Sequence, residues 1–137
     1  MAAIRIPESA ERLLPLCRTS GASGSHIWET YADMIAFLAA LGYSLQINPN
    51  ATSSFIRSAN PIDFSVFRSR GYYPQLLMLA IAHNRDWTIA KHPEEISKIT
   101  EQYAAVGADN TSALDSENLI AFFRNNLLGR LESFAQI

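Results

Sequence analysis

Hydrophobic residues recur at helical spacing along most of the chain. The clearest segment follows Thr30 and Asp33, a capping-box pair with Asp in place of the usual Glu, and it is apolar on almost every side up to Gly42. A glycine in that position is typical of the left-handed end of a helix. The pattern therefore predicts a buried central helix that ends at Gly42.

Four other segments also predict helices. Residues 9–18 form the first, with Pro15 expected to shorten or kink it. Residues 72–84 form another, with Pro74 in the first turn, and the next begins at Pro93 and ends at Gly107. The last begins near residues 112–115, and its apolar stripe comprises Leu119, Phe123, Leu127, Leu131 and Phe134.

Strand periodicity is confined to one short stretch. In Ile62–Phe67, apolar residues alternate with Asp63 and Ser65. The polar residues 44–60 before it contain the turn signal Asn48-Pro49 and read as irregular. We predict a mainly α fold, a compact bundle of about five helices with one short β-strand pair, Ile4–Ile6 with Ile62–Phe67.

Length and composition fit a globular protein. The 137 residues predict a single domain over residues 1–137, and a hydrophobic fraction of 48% excludes disorder as the main state. Charged residues make up only 18%, below the roughly 25% usual for soluble domains. The low charge and the wide stripe at residues 119–134 suggest that surface is covered in an assembly, and we expect a homodimer.

The sequence offers little support for catalysis. Cys17 is the single cysteine, which excludes a disulfide framework and the usual cysteine-based zinc sites. There is no phosphate-binding loop, nucleophile elbow or His-Glu-x-x-His motif. Apolar runs are too short to cross a bilayer. We expect a soluble, cytoplasmic protein that is not an enzyme and has no catalytic residue, metal, cofactor or membrane partner.

Two polar pairs admit a functional interpretation and a structural one. His83 and Asp86 are three residues apart, the spacing of side chains that share a helix face, so they are either metal ligands or, more commonly, groups that cap a helix end. Glu94 and Glu95 are adjacent and diverge on a helix, which favours a solvated first turn. Trp28 and Trp87 are expected at the rims of the core.

Arginines supply the best candidate for recognition. Arg68 and Arg70 precede a predicted helix N-terminus, and on an extended segment they would project to the same side. Arg57 in the irregular region is placed to join them. Contact with nucleic acid or another anion is one interpretation; a solvated loop or a salt bridge to the acidic last third of the chain is the other.

Three stretches carry a family resemblance. They are residues 30–43, residues 61–67 with Gly71 and Tyr72, and residues 99–107 (ITEQYAAVG). In this order and spacing the chain resembles the small DNA phosphorothioation-associated proteins, in particular associated protein 4 of the Dnd system, over roughly residues 4–114. Such systems replace a non-bridging phosphate oxygen of DNA with sulfur, and neighbouring genes encode modification and restriction components.

The resemblance implies a bacterial accessory protein and brings no catalytic residues with it. We therefore expect a non-enzymatic accessory or regulatory protein of a DNA phosphorothioation and restriction system, acting through contacts with protein partners of that system and with DNA as a further candidate partner. The alternative is a DNA-binding transcriptional regulator of the same gene cluster. That alternative requires Arg57, Arg68 and Arg70 on one surface.

Overall fold

The computed structural model describes residues 2–22, 24, 26–49, 54–57 and 59–111, and these residues form a mainly helical fold. The four α-helices are α1 (Tyr31–Ser44), α2 (Phe64–Ser69), α3 (Tyr73–Asn84) and α4 (Pro93–Asp109). Three 3₁₀ helices, at Glu8–Leu16, Arg18–Ser20 and Trp87–Lys91, complete the helical part. The predicted mainly α class is confirmed. The last predicted helix, with its stripe at residues 119–134, lies outside the described residues.

Helix α1 begins where the capping box predicts. The Asp33 N–H donates to the Thr30 hydroxyl oxygen at 3.3 Å, and the Thr30 N–H donates to the Asp33 carboxylate at 3.0 Å. Two otherwise unpaired N–H groups of the first turn are thereby satisfied. The apolar residues that follow are buried against α4, so α1 is central as predicted.

The predicted ends of α1 and α4 are wrong, for one shared reason. Both helices continue past their glycines, α1 to Ser44 and α4 to Asp109. A Cβ on Gly42 would lie 2.0 Å from the Tyr103 carbonyl oxygen, and one on Gly107 would lie 2.1 Å from the Leu38 carbonyl oxygen. The glycines therefore bring two helix backbones into direct contact.

The strand pair is confirmed in position but is shorter than predicted. Strand β1 (Ala3–Ile4) pairs antiparallel with β2 (Ile62–Asp63), with Ala3 opposite Asp63 and Ile4 opposite Ile62. The prediction of strand up to Phe67 is wrong, because Asp63 accepts the Ser65 N–H at 2.9 Å and starts α2. Phe64 and Phe67 both enter the core from α2, since residues three apart share a helix face.

The N-terminal arm is held on α4 by polar contacts. Arg5 donates from its backbone N–H (2.6 Å), Nε (3.0 Å) and Nη2 (3.0 Å) to the carboxylate of Glu101, which is 3% exposed. The Arg5 guanidinium also lies over the Phe55 ring at 3.7 Å. The predicted first helix is a 3₁₀ helix, Glu8–Leu16, and Pro15 within it has no N–H to donate.

The other predicted helices are confirmed closely. Helix α3 begins at Tyr73, one residue later than predicted, and α4 begins at Pro93. In the part of the chain that the structure describes, no helix combines the length and the apolar character needed to cross a membrane.

Candidate binding surface

Arg70 belongs to a cluster of hydrogen bonds at the start of α1. Its Nε donates to Oδ1 and its Nη2 to Oδ2 of Asp33, both at 2.8 Å. Tyr72 donates its hydroxyl to Asp33 Oδ1 at 2.5 Å, and the Thr30 hydroxyl donates to Oδ2 at 2.8 Å. The carboxylate that caps α1 therefore also fastens the turn between α2 and α3 to it.

The ionisation of this cluster follows from the contacts. Burial raises the pKa of Asp33, but hydrogen bonds from Arg70, Tyr72 and Thr30 outweigh it, so that the pKa is lowered overall. Burial, together with the hydrogen bond to Asp33, raises the pKa of Tyr72 to about 12. Asp33 is therefore a carboxylate and Tyr72 a neutral donor at neutral pH. This pairing commits Arg70 to the fold.

Arg68 has a different environment although it is only two residues away. Its guanidinium carbon lies 4.8 Å from the centroid of the Tyr73 ring and 5.3 Å from that of Phe64, and the residue is exposed. The prediction assumed an extended segment, whereas Arg68 is in α2 and Arg70 follows at its C-cap. Residues two apart in a helical turn diverge, so the two arginines have separate partners.

Arg57 follows a segment with contacts of its own. It is exposed and follows a segment that hydrogen-bonds to the N-terminal arm, where the Glu8 N–H donates to the Ser54 carbonyl and the Ile56 N–H to the Ile6 carbonyl, both at 2.9 Å. The structure thus places Arg68 and Arg70 together at the corner of α2 and α3, with different contacts, and Arg57 in the segment beside the N-terminal arm.

The surface that the sequence did not single out is the outer face of α3. From Tyr73 to Ala82 this helix carries no charged residue. Leu76, Leu79 and Ala80 are buried, whereas Pro74, Met78 and Ala82 are exposed. Met78 is 67% exposed. A solvent-facing side of a helix ordinarily carries polar or charged residues. Ten consecutive positions without a charged residue are the sequence signal by which this exposed apolar face could have been found.

Trp87 is a further exposed apolar residue. It opens the 3₁₀ helix Trp87–Lys91, an element that packs against α3, and its side chain is 77% exposed. The expectation that Trp87 packs at the rim of the core is therefore wrong. Trp28 does pack there: it is 8% exposed and its ring lies 5.7 Å from that of Phe37.

Charged residues flank α3 along the chain. Between residues 64 and 91 there are four cations, Arg68, Arg70, Arg85 and Lys91, and one carboxylate, Asp86. Asp86 accepts the Thr88 N–H at 3.0 Å and the Thr88 hydroxyl at 2.7 Å. We call the exposed residues Pro74, Met78 and Ala82 the α3 surface.

The structure gives His83 and Asp86 separate partners. His83 Nδ1 lies 2.8 Å from the Tyr103 hydroxyl, and the two rings meet edge to face. Asp86 caps the 3₁₀ helix Trp87–Lys91. Over the residues that the structure describes, no three His, Cys, Asp or Glu side chains are grouped as metal ligands.

The fold and the α3 surface define a class: a small, mainly helical domain with an exposed, uncharged helix face. Comparison with known proteins assigns the family. The chain matches the family described as DNA sulphur modification system-associated protein 4 over residues 3–115, and it belongs to that family. No curated protein and no solved structure matches the chain significantly. The suspected resemblance is thereby confirmed, and the association with a DNA sulphur modification system with it.

Proposed function

We propose that the protein is a non-enzymatic accessory protein of a bacterial, cytoplasmic DNA phosphorothioation and restriction system, and that it acts by binding a protein component of that system. The observation that carries this proposal is the 77% exposure of Trp87. Tryptophan is enriched among the few residues that supply most of the energy of protein interfaces. Family membership supplies the system in which the partner is sought.

The contacts of Arg70 also support protein binding over phosphate binding. Bidentate binding of a phosphate uses one edge of the guanidinium, and Arg70 gives its Nε and Nη2 edge to Asp33, whose carboxylate also compensates its charge. Of the two neighbouring candidates Arg68 and Arg70, Arg70 therefore stabilises the fold. The exposed apolar side chains of the α3 surface remain for recognition.

The proposal is tested in cells that carry the complete system and lack this chain. Phosphorothioate content of the DNA and restriction of unmodified DNA are measured after complementation with the wild type, Trp87→Ala or the matched control Ile47→Ala. Ile47 is an exposed apolar residue outside α3, at 46% exposure. We expect Trp87→Ala to behave like the deletion and Ile47→Ala like the wild type. Equal complementation by both variants would contradict the proposal.

A stoichiometric titration separates an accessory protein from an enzyme. In the reconstituted system, an accessory subunit raises activity until one chain is present per partner and then has no further effect. An enzyme would act at a small fraction of that amount, because it turns over. Full activity of the reconstituted system at trace amounts of this chain would therefore refute the non-enzymatic role.

The second candidate, a DNA-binding regulator, is favoured by Arg68. Its guanidinium is exposed and is oriented by the rings of Phe64 and Tyr73, which suits it to meet a phosphate. Fluorescence anisotropy with duplexes that carry or lack phosphorothioate, at low and at near-physiological salt, tests this function. Arg68→Gln and Arg57→Gln are the informative variants, since changing Arg70 also breaks its pair with Asp33. Binding that both variants leave unchanged would remove the candidate.

The homodimer remains a prediction. It rests on the low charged fraction of the sequence and on the stripe at residues 119–134, which lies outside the described residues.

A further inference from the structure

We draw no further inference here: the strongest candidate, the exposed apolar face of α3 at Pro74, Met78 and Ala82, carries none, because nothing in the residues that the structure describes shows what covers it.

Discussion

Replacement of Gly107 by alanine tests the contact between α1 and α4 most directly. The new Cβ would lie 2.1 Å from the carbonyl oxygen of Leu38, 2.9 Å from its carbonyl carbon and 3.2 Å from its Cα. All three are backbone atoms of a buried helix, so no side chain can rotate away. A normal carbon–oxygen contact is roughly 1 Å longer than the first of these distances, so the two helices must separate.

The magnitude follows from two opposing effects. Overpacking of a close-packed interior costs typically about 1–3 kcal/mol, and this contact falls at the upper end because both sides are backbone. Alanine returns about 1 kcal/mol through its higher helix propensity. We therefore expect Gly107→Ala to lower the free energy of unfolding by about 2 kcal/mol, and Gly42→Ala, whose Cβ would lie 2.0 Å from the Tyr103 carbonyl oxygen, by a similar amount.

Urea denaturation followed by far-ultraviolet circular dichroism gives these free energies. Ala82→Gly, at an exposed position of α3, calibrates the propensity effect alone and should cost up to about 1 kcal/mol. Because both glycines serve the same contact, the double variant should lose less than the sum of the single losses. If Gly107→Ala were instead more stable than the wild type by the propensity difference, the backbone contact would be refuted.

The remaining predictions concern ionisable groups. The folded-state pKa of Asp33 is lowered, so the contribution of Asp33 to stability is complete above its unfolded pKa of about 3.9 and is lost as the pH falls through the folded value. Urea midpoints measured from about pH 6 down to about pH 2 should therefore fall less steeply in Asp33→Asn than in the wild type. Equal slopes would contradict this. Burial, and then the nearby charge of Asp33, raises the pKa of the Cys17 thiol to about 12. At a pH of about 8, where an ordinary cysteine reacts, a thiol reagent should therefore label the native chain only as fast as the fold opens around Cys17. Rapid labelling would show that the thiol is accessible. Arg5→Met leaves the buried Glu101 carboxylate without its guanidinium partner and should lower the free energy of unfolding by about 2–3 kcal/mol. Glu101→Gln keeps an oxygen acceptor and leaves no buried charge, so it should lower the free energy of unfolding by less in the same urea titration. Equal losses in the two variants would show that an unpaired buried charge is not the source of the cost.

Local signals in the sequence were sufficient for most of the helices. The capping box of Thr30 and Asp33, Pro74 in a first turn and Pro93 at a helix start act within one or two turns of chain, so a helix boundary is determined there without any tertiary contact. The β1–β2 pair was also predicted in place, since its two strands have few alternatives in a helical chain.

What the sequence left open depended on distant partners. The sequence predicts a helix end at Gly42, and only the backbone of α4 beside it makes this glycine a contact point instead. Arg68 and Arg70 are identical in type and nearly adjacent, yet the turn of α2 gives one to aromatic rings and the other to Asp33. The exposure of Trp87 has the same origin. A tryptophan is buried only if another element covers it, and none of the described residues covers Trp87. Local sequence sets the conformation of the chain, whereas the packing of the helices decides which side chains remain on the surface.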